Sequence, residues 1–169
     1  MRVCGSPLIV NTEQTNPARP ESLMIRPYED RDLDALLAVW EAASAIAHPF
    51  LSEEFTAQER KNIPELYIPN TDTWIYEEAG RVAGFLALMQ NEIGAIFVHP
   101  ESQRRGAGHA LTDKARSLHE TLEVEVFERN SIGRGFYAKY GFEEMSRRTH
   151  EDTGFELLRL RWAPQEKTT

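Results

Sequence analysis

The chain has 169 residues, 41% hydrophobic and 27% charged, which suits one domain with a real core and excludes a disordered or fibrous chain. A net charge of −8, with no basic helix or aromatic stacking platform, argues against a nucleic-acid partner. A single cysteine, Cys4, excludes an intramolecular disulfide, no Cys/His spacing suits a metal, and the apolar runs are too short for a membrane span, so a cytoplasmic location is expected.

Residues 1–22 hold Pro7, Pro17 and Pro20 among small polar residues and read as a mobile arm without the basic start and long apolar centre of a signal peptide. The folded domain is expected over 23–163, followed by a polar tail at 164–169. Residues 23–26 read as a strand ended by Pro27. Leu33, Leu36, Leu37 and Trp40 recur at helical spacing behind a cap at Asp30 or Asp32, with Ala42 to Ala47 as a weak tail broken by His48-Pro49-Phe50-Leu51. A second helix spans 52–62, where Thr56 and Glu59 are spaced as a capping box, and Pro64 ends it or opens another turn.

Residues 73–77, 82–89 and 93–98 read as an antiparallel meander joined by tight turns at Ala79-Gly80 and Gln90-Asn91. Ala110, Leu111, Ala115 and Leu118 share one face of the next helix. Residues 122–127 alternate apolar and acidic as a strand with one wet face, a helix spans 131–140, and 143–150 pairs with 155–162 about Asp152-Thr153-Gly154.

The stretch from Val98 to His109 joins a strand to a helix start. Pro100 fixes its own φ and forces His99 out of helical geometry. Gly106 lets the backbone bend close to a ligand, and Gly108 lets the first helical turn approach it without a Cβ. The free N–H groups and dipole of a helix start suit an anion such as a pyrophosphate, and Arg104 and Arg105 add cations beside it. A Rossmann fingerprint fits poorly, because Leu111 holds the third glycine position, and a Walker loop lacks its Gly-Lys-Ser/Thr ending.

Gln103, Gly106 and Gly108 meet the pattern Gln/Arg-x-x-Gly-x-Gly/Ala behind Val98 and Pro100. Asn130 then stands ahead of Phe136-Tyr137 and Gly141-Phe142. In that order the two motifs resemble the acyl-CoA loop and the Asn-x-x-Ala-x-x-Phe-Tyr-x-x-x-Gly-Phe segment of the GCN5-related N-acetyltransferases (GNAT), with Gly133 where Ala is usual. Two glycines, Gly133 and Gly135, make that helix the softer one.

The resemblance spans 24–162 and implies the α/β (α+β) GNAT fold: a mixed, mostly antiparallel sheet of seven strands, splayed between the fourth and fifth, flanked by four helices. It implies that acetyl-CoA lies along the backbone of Ile96, Phe97 and Val98 as an added strand. Gln103, Arg104, Arg105, Gly106, Ala107, Gly108, His109 and Asn130 would hold the rest of it. Tyr137 is implied as general acid, since a phenol of ordinary pKa, about 10, can protonate a thiolate whose acid lies near ~8.5. Glu92, sharing a strand face with Gly94, Ile96 and Val98, is the candidate base. The region between the first two strands lines the acceptor pocket in this family, which makes His48, Phe50 and Tyr67 candidate substrate contacts.

The expected reaction is acetyl transfer from acetyl-CoA to a primary amine, small-molecule or protein, by direct attack in a ternary complex. No metal, nucleic acid or membrane is expected, and the protein would be a monomer or homodimer. The competing expectation is a catalytically silent acyl-CoA-binding regulatory protein of the same fold.

Overall fold

Proline and aspartate shape the entry to the domain. β1 (Leu23–Pro27) leads through a 3-10 turn at Asp30–Asp32 into α1 (Leu33–Ala47). Asp32 does not bond the first amides of α1 as a cap. It accepts from Glu29 N at 2.9 Å and pairs with Arg26 of β1 at 2.7 Å, and that Arg26 hydrogen bond holds its buried carboxyl below the usual range. These coordinates are a computed structural model describing residues 23–165, so the expected arm at 1–22 and residues 166–169 of the tail lie outside the described residues.

α2 (Glu53–Asn62) is capped by Ser52, whose Oγ accepts from Phe55 N at 3.1 Å. The expected Thr56/Glu59 box does not form. Ser52 already holds the first turn, and Glu59 instead accepts from the Tyr67 hydroxyl at 2.8 Å. Pro64 opens a π turn (Ile63–Tyr67), and a 3-10 turn (Ile68–Asn70) follows, each with proline in its first turn, where a missing N–H leaves no bond unmade.

β2 (Asp72–Glu78), β3 (Arg81–Met89) and β4 (Glu92–Val98) form the expected meander. Ala79 and Gly80, at φ 51° and 76°, make the tight first turn, which both strands' twist favours. α3 (Ala107–Leu118), β5 (Leu122–Phe127), α4 (Ser131–Tyr140), β6 (Glu143–Thr149) and β7 (Glu156–Trp162) complete a sheet of order β1-β2-β3-β4-β5-β7-β6. One core lies on the α3 side around Leu86, Leu111, Val124 and Leu158, and the other lies under α1 around Leu36, Trp40, Ile75 and Phe85. Leu118, expected in the α3 stripe, is exposed, while Ala107 and Thr112 are buried there.

Two departures from regular pairing position the site. β5 runs parallel to β4 and meets it only at Glu92↔Glu123 and Ile93↔Val124, beyond which the strands part. On the other edge of β4 the register jumps from Ala87↔Ala95 to Leu88↔Ile93, leaving Gly94 as a bulge residue. The bulge reverses the side-chain alternation: Ile93 packs in the α3-side core with Ile96 and Val98, while Ala95 and Phe97 pack under α1. Glu92 therefore does not share a face with Ile96 and Val98. It lies on the α1 face, where Arg159 meets it.

Gly135 sits exposed within α4, and a Cβ there would meet no atom within 4 Å. Gly135→Ala should raise the unfolding free energy by about 1 kcal/mol in urea titrations. An unchanged or lower value would mean that this turn of α4 needs the freedom of glycine.

Candidate active site

Beyond Val98 the chain makes a 3-10 turn at Pro100–Ser102 and is then tied back to the sheet, with Gln103 Nε2 donating to Val98 O at 2.9 Å. Gln103 thus shapes the loop. Arg104, at φ 62°, occupies the left-handed region without being glycine, and Gly106, at φ 91°, is the N-cap of α3. Such backbone is costly and persists where its N–H directions are used. A Cβ at Gly106 would meet nothing, so the conformation itself requires glycine. At Gly108 a Cβ would lie 3.0 Å from Phe136 Cε2, so the clearance expected there for a ligand is first a clearance for α4.

A cavity of about 1260 Å³ runs from this loop through the gap between β4 and β5 to the α1/α2 side. Gln103, Arg104, Gly106, Gly108 and His109 line its loop end; Ile96, Phe97, Val98, Asn130 and Tyr137 line the gap; Glu92, His48 and Tyr67 line the far side. Three expected site residues are not in its wall. Arg105 lies 3.6 Å from Glu78, Ala107 is buried and offers only its backbone, and Phe50 packs edge-on against Phe127 and Phe155 at 5.5 and 5.3 Å. Past Ile93, β4 has no strand on its β5 side, so its polar backbone groups face the gap. The Val98 carbonyl accepts from Gln103, and Phe97 O points the other way, toward Gly84 of β3, so the groups left for a docking strand are those of Ile96 and the Val98 N–H.

Tyr137, on α4 beside Phe136 and Phe142, is buried, and burial pushes its phenol well above the ordinary value. It is therefore a weaker acid than the sequence suggests, and losing its proton would leave a buried phenolate. Glu92 Oε2 accepts from Arg159 Nη2 at 3.2 Å; Arg159 also contacts Glu123 and Glu125, and Arg148 grips Glu125 with bonds of 2.6 and 2.8 Å. This charged face was missed as part of the site, although Glu123 and Glu125 alternating opposite Arg161 and Arg159 were its signal. At the mouth, Tyr67 donates to Glu59, and burial, with that bond second, pushes its phenol up to about 12.

His48, at the end of α1, reaches across the gap. Its Nδ1 lies 3.1 Å from Ser44 Oγ and its Nε2 lies 3.1 Å from Asn130 Nδ2, at the start of α4. Burial pulls its pKa from 6.5 to about 4. The unfolded chain thus binds this proton more readily, so stability should fall by up to about 3 kcal/mol as pH drops from 6.5 through 4. His48→Gln should remove that part of the decline in urea titrations. Parallel curves for the two proteins would contradict it.

Among the described residues no cluster of three or more His, Cys, Asp or Glu could hold a metal, and no helix is long and apolar enough to cross a membrane. A glycine loop at a helix start, a splayed parallel strand pair and a cavity passing between them make up the candidate site. The model of the acetyltransferase (GNAT) domain matches residues 37–163. The peptidyl-lysine N-acetyltransferase YiaC of Escherichia coli K12 is 29% identical over 140 residues, covering 82% of this chain and 96% of that protein. YjaB of the same organism, also named a peptidyl-lysine N-acetyltransferase, is 29% identical over 141 residues, with 82% and 95% covered. The solution structure of apo YjaB superposes with a TM-score of 0.75 at 27% identity, covering 83% of this chain and 97% of that one. The chain belongs to the GNAT family and is an N-acetyltransferase.

Proposed function

We propose that the enzyme transfers the acetyl group of acetyl-CoA to the side-chain amine of lysine in a protein or peptide. The observation that carries this reading is the cavity itself, which joins the loop at the start of α3 to an acidic far side through the β4/β5 gap. The relatives named above, which act on peptidyl lysine, support that acceptor.

The donor supplies an activated thioester. The backbone N–H groups from Gly106 to Gly108 suit its pyrophosphate, and the edge of β4 at Ile96 and Val98, whose backbone faces the gap, suits its pantetheine arm. The amine enters from the α1/α2 side. Glu92 keeps one oxygen on Arg159 and has Oε1 free, among the described residues, to take a proton from the ammonium directly or through water. The neutral nitrogen then attacks the carbonyl carbon, forming the C–N bond; the tetrahedral adduct sheds its second N–H proton to solvent, and the C–S bond breaks to release CoA as a thiolate. Tyr137 stays protonated and donates a hydrogen bond to the departing sulfur, and the released thiolate takes its proton from solvent.

Glu92→Gln should lower kcat/KM for the amine and remove the acid limb of its pH profile, with acetyl-CoA affinity unchanged. A wild-type profile in that variant would rule Glu92 out as base. The acceptor is tested by CoA release with a lysine peptide, the same peptide with its lysine replaced by norleucine, and a panel of small amines. Release with the small amines alone would overturn the peptide reading.

A further inference from the structure

The side chains that bind α1 to α4 across the gap leave one feature unaccounted for by donor loop, acid or base. Asn130 Oδ1 accepts from Gly133 N at 2.8 Å, which fixes the amide with Nδ2 turned toward His48. Nδ2 can only donate, so His48 Nε2 is the acceptor and the neutral ring carries its proton on Nδ1, where Ser44 Oγ receives it. The one lone pair of that imidazole is thus engaged, and His48 cannot take a substrate proton without releasing Asn130. The ring is also wedged between the two strands that part: its centroid lies 6.1 Å from Phe97 of β4 and 5.8 Å from Phe127 of β5.

Gly133 gives a second, independent indication. A Cβ there would lie 2.7 Å from Asn130 Nδ2 and 3.1 Å from Val126 Cγ2, too close for the amide to stay where it is. The departure from Ala at this position is what allows Asn130 to face His48. A sequence that gives up helix propensity at Gly133 does so here for a specific side-chain contact.

We infer that His48 is a positioning residue of the donor slot: it holds the Asn130 amide and the α4 N-terminus against α1, and so sets the width of the gap through which the acyl donor reaches the acceptor. This inference rests on the reading of the gap as the acetyl-CoA site. Protonation of His48 turns Nε2 into a second donor facing Asn130 Nδ2, which breaks the contact. The groups that face the ring are Ser44 from α1, Phe50 from the connection, Phe97 from β4, Phe127 from β5 and Asn130 from α4, none of them charged or titratable. His150 packs on the same Phe127. Burial is the cause of the lowered His48 pKa, so the ring stays neutral under ordinary conditions.

Acetyl-CoA binding by calorimetry and steady-state kinetics on the full chain test it, with three variants. His48→Leu keeps bulk but leaves the buried Asn130 donor without a partner, and should weaken acetyl-CoA binding about tenfold. His48→Gln offers Oε1 in place of Nε2 and should restore donor binding to within about threefold of wild type. Gly133→Ala should reproduce the loss without touching His48. Long-range proton–nitrogen spectra of the wild-type protein should show His48 as the Nδ1–H tautomer, a readout independent of whether any variant folds. Equal donor affinity in His48→Leu and wild type, or an Nε2–H tautomer in the free protein, would overturn the inference. A wild-type protein that fails to bind acetyl-CoA would overturn the site assignment instead.

Discussion

Tyr137→Phe should lower turnover about 100-fold while leaving acetyl-CoA affinity and stability close to wild type. The ring is buried between Phe136 and Phe142, so the packing survives the change. Only burial, and no hydrogen bond, contributes to the raised phenol pKa, so removing the hydroxyl leaves no buried partner unmatched. What is lost is the donor to the sulfur as it becomes a thiolate. Because the phenol is a weaker acid than free tyrosine, no alkaline limb near an ordinary tyrosine value should appear in the wild-type profile. Steady-state kinetics with calorimetry separate the two quantities, and unchanged turnover would reduce Tyr137 to a packing residue.

Gly106→Trp should weaken acetyl-CoA binding by about 100-fold or more in a protein that still folds. Gly106 caps α3 at φ 91°, where an L-residue costs about 1–2 kcal/mol. That is a fraction of the usual stability of a domain, about 5–15 kcal/mol. A Cβ at this point meets no protein atom, so the indole finds open space and crowds the loop where the pyrophosphate would sit. Gly108→Trp is a poorer probe, because it drives into Phe136 and tests packing before binding. Undiminished affinity in folded Gly106→Trp would remove the donor from this loop.

Much of the fold was legible because periodicity and turn chemistry are local. The α1 stripe at Leu36, Leu37 and Trp40, the Ala79-Gly80 turn and the alternation of β5 all appear as read. The turn that opens α3 was legible because Gly106 needs a conformation that few residues adopt. Register departs from the local pattern where a non-local feature intervenes: the bulge at Gly94 moves Glu92 to the opposite face, and nothing in the neighbouring residues announces it. The α2 cap was misplaced because Ser52 and Thr56 carry similar local signals and the choice depends on where Glu59 finds Tyr67.

The site's interior was the least legible part. His48 and Asn130 meet across 82 positions of sequence, and their contact depends on a missing Cβ at Gly133 that reads, in the sequence, only as a weak spot in a helix. The Glu92–Arg159 pair spans 67 positions and likewise appears only when β5 pairs with both β4 and β7. Chemistry that depends on burial was hidden for the same reason: the shifted phenol of Tyr137 and imidazole of His48 follow from neighbours supplied by distant strands.

The most direct measurement is single-turnover transfer. Enzyme, acetyl-CoA and a lysine peptide are mixed and quenched, with free CoA and acetylated peptide counted in the same samples. Acetyl transfer through the β4/β5 gap requires one CoA released per acetyl group gained by the peptide lysine, with no acetyl group left on the enzyme and no CoA released when peptide is omitted. Tight acetyl-CoA binding with no CoA release across peptides and small amines would contradict it and leave a silent acyl-CoA sensor.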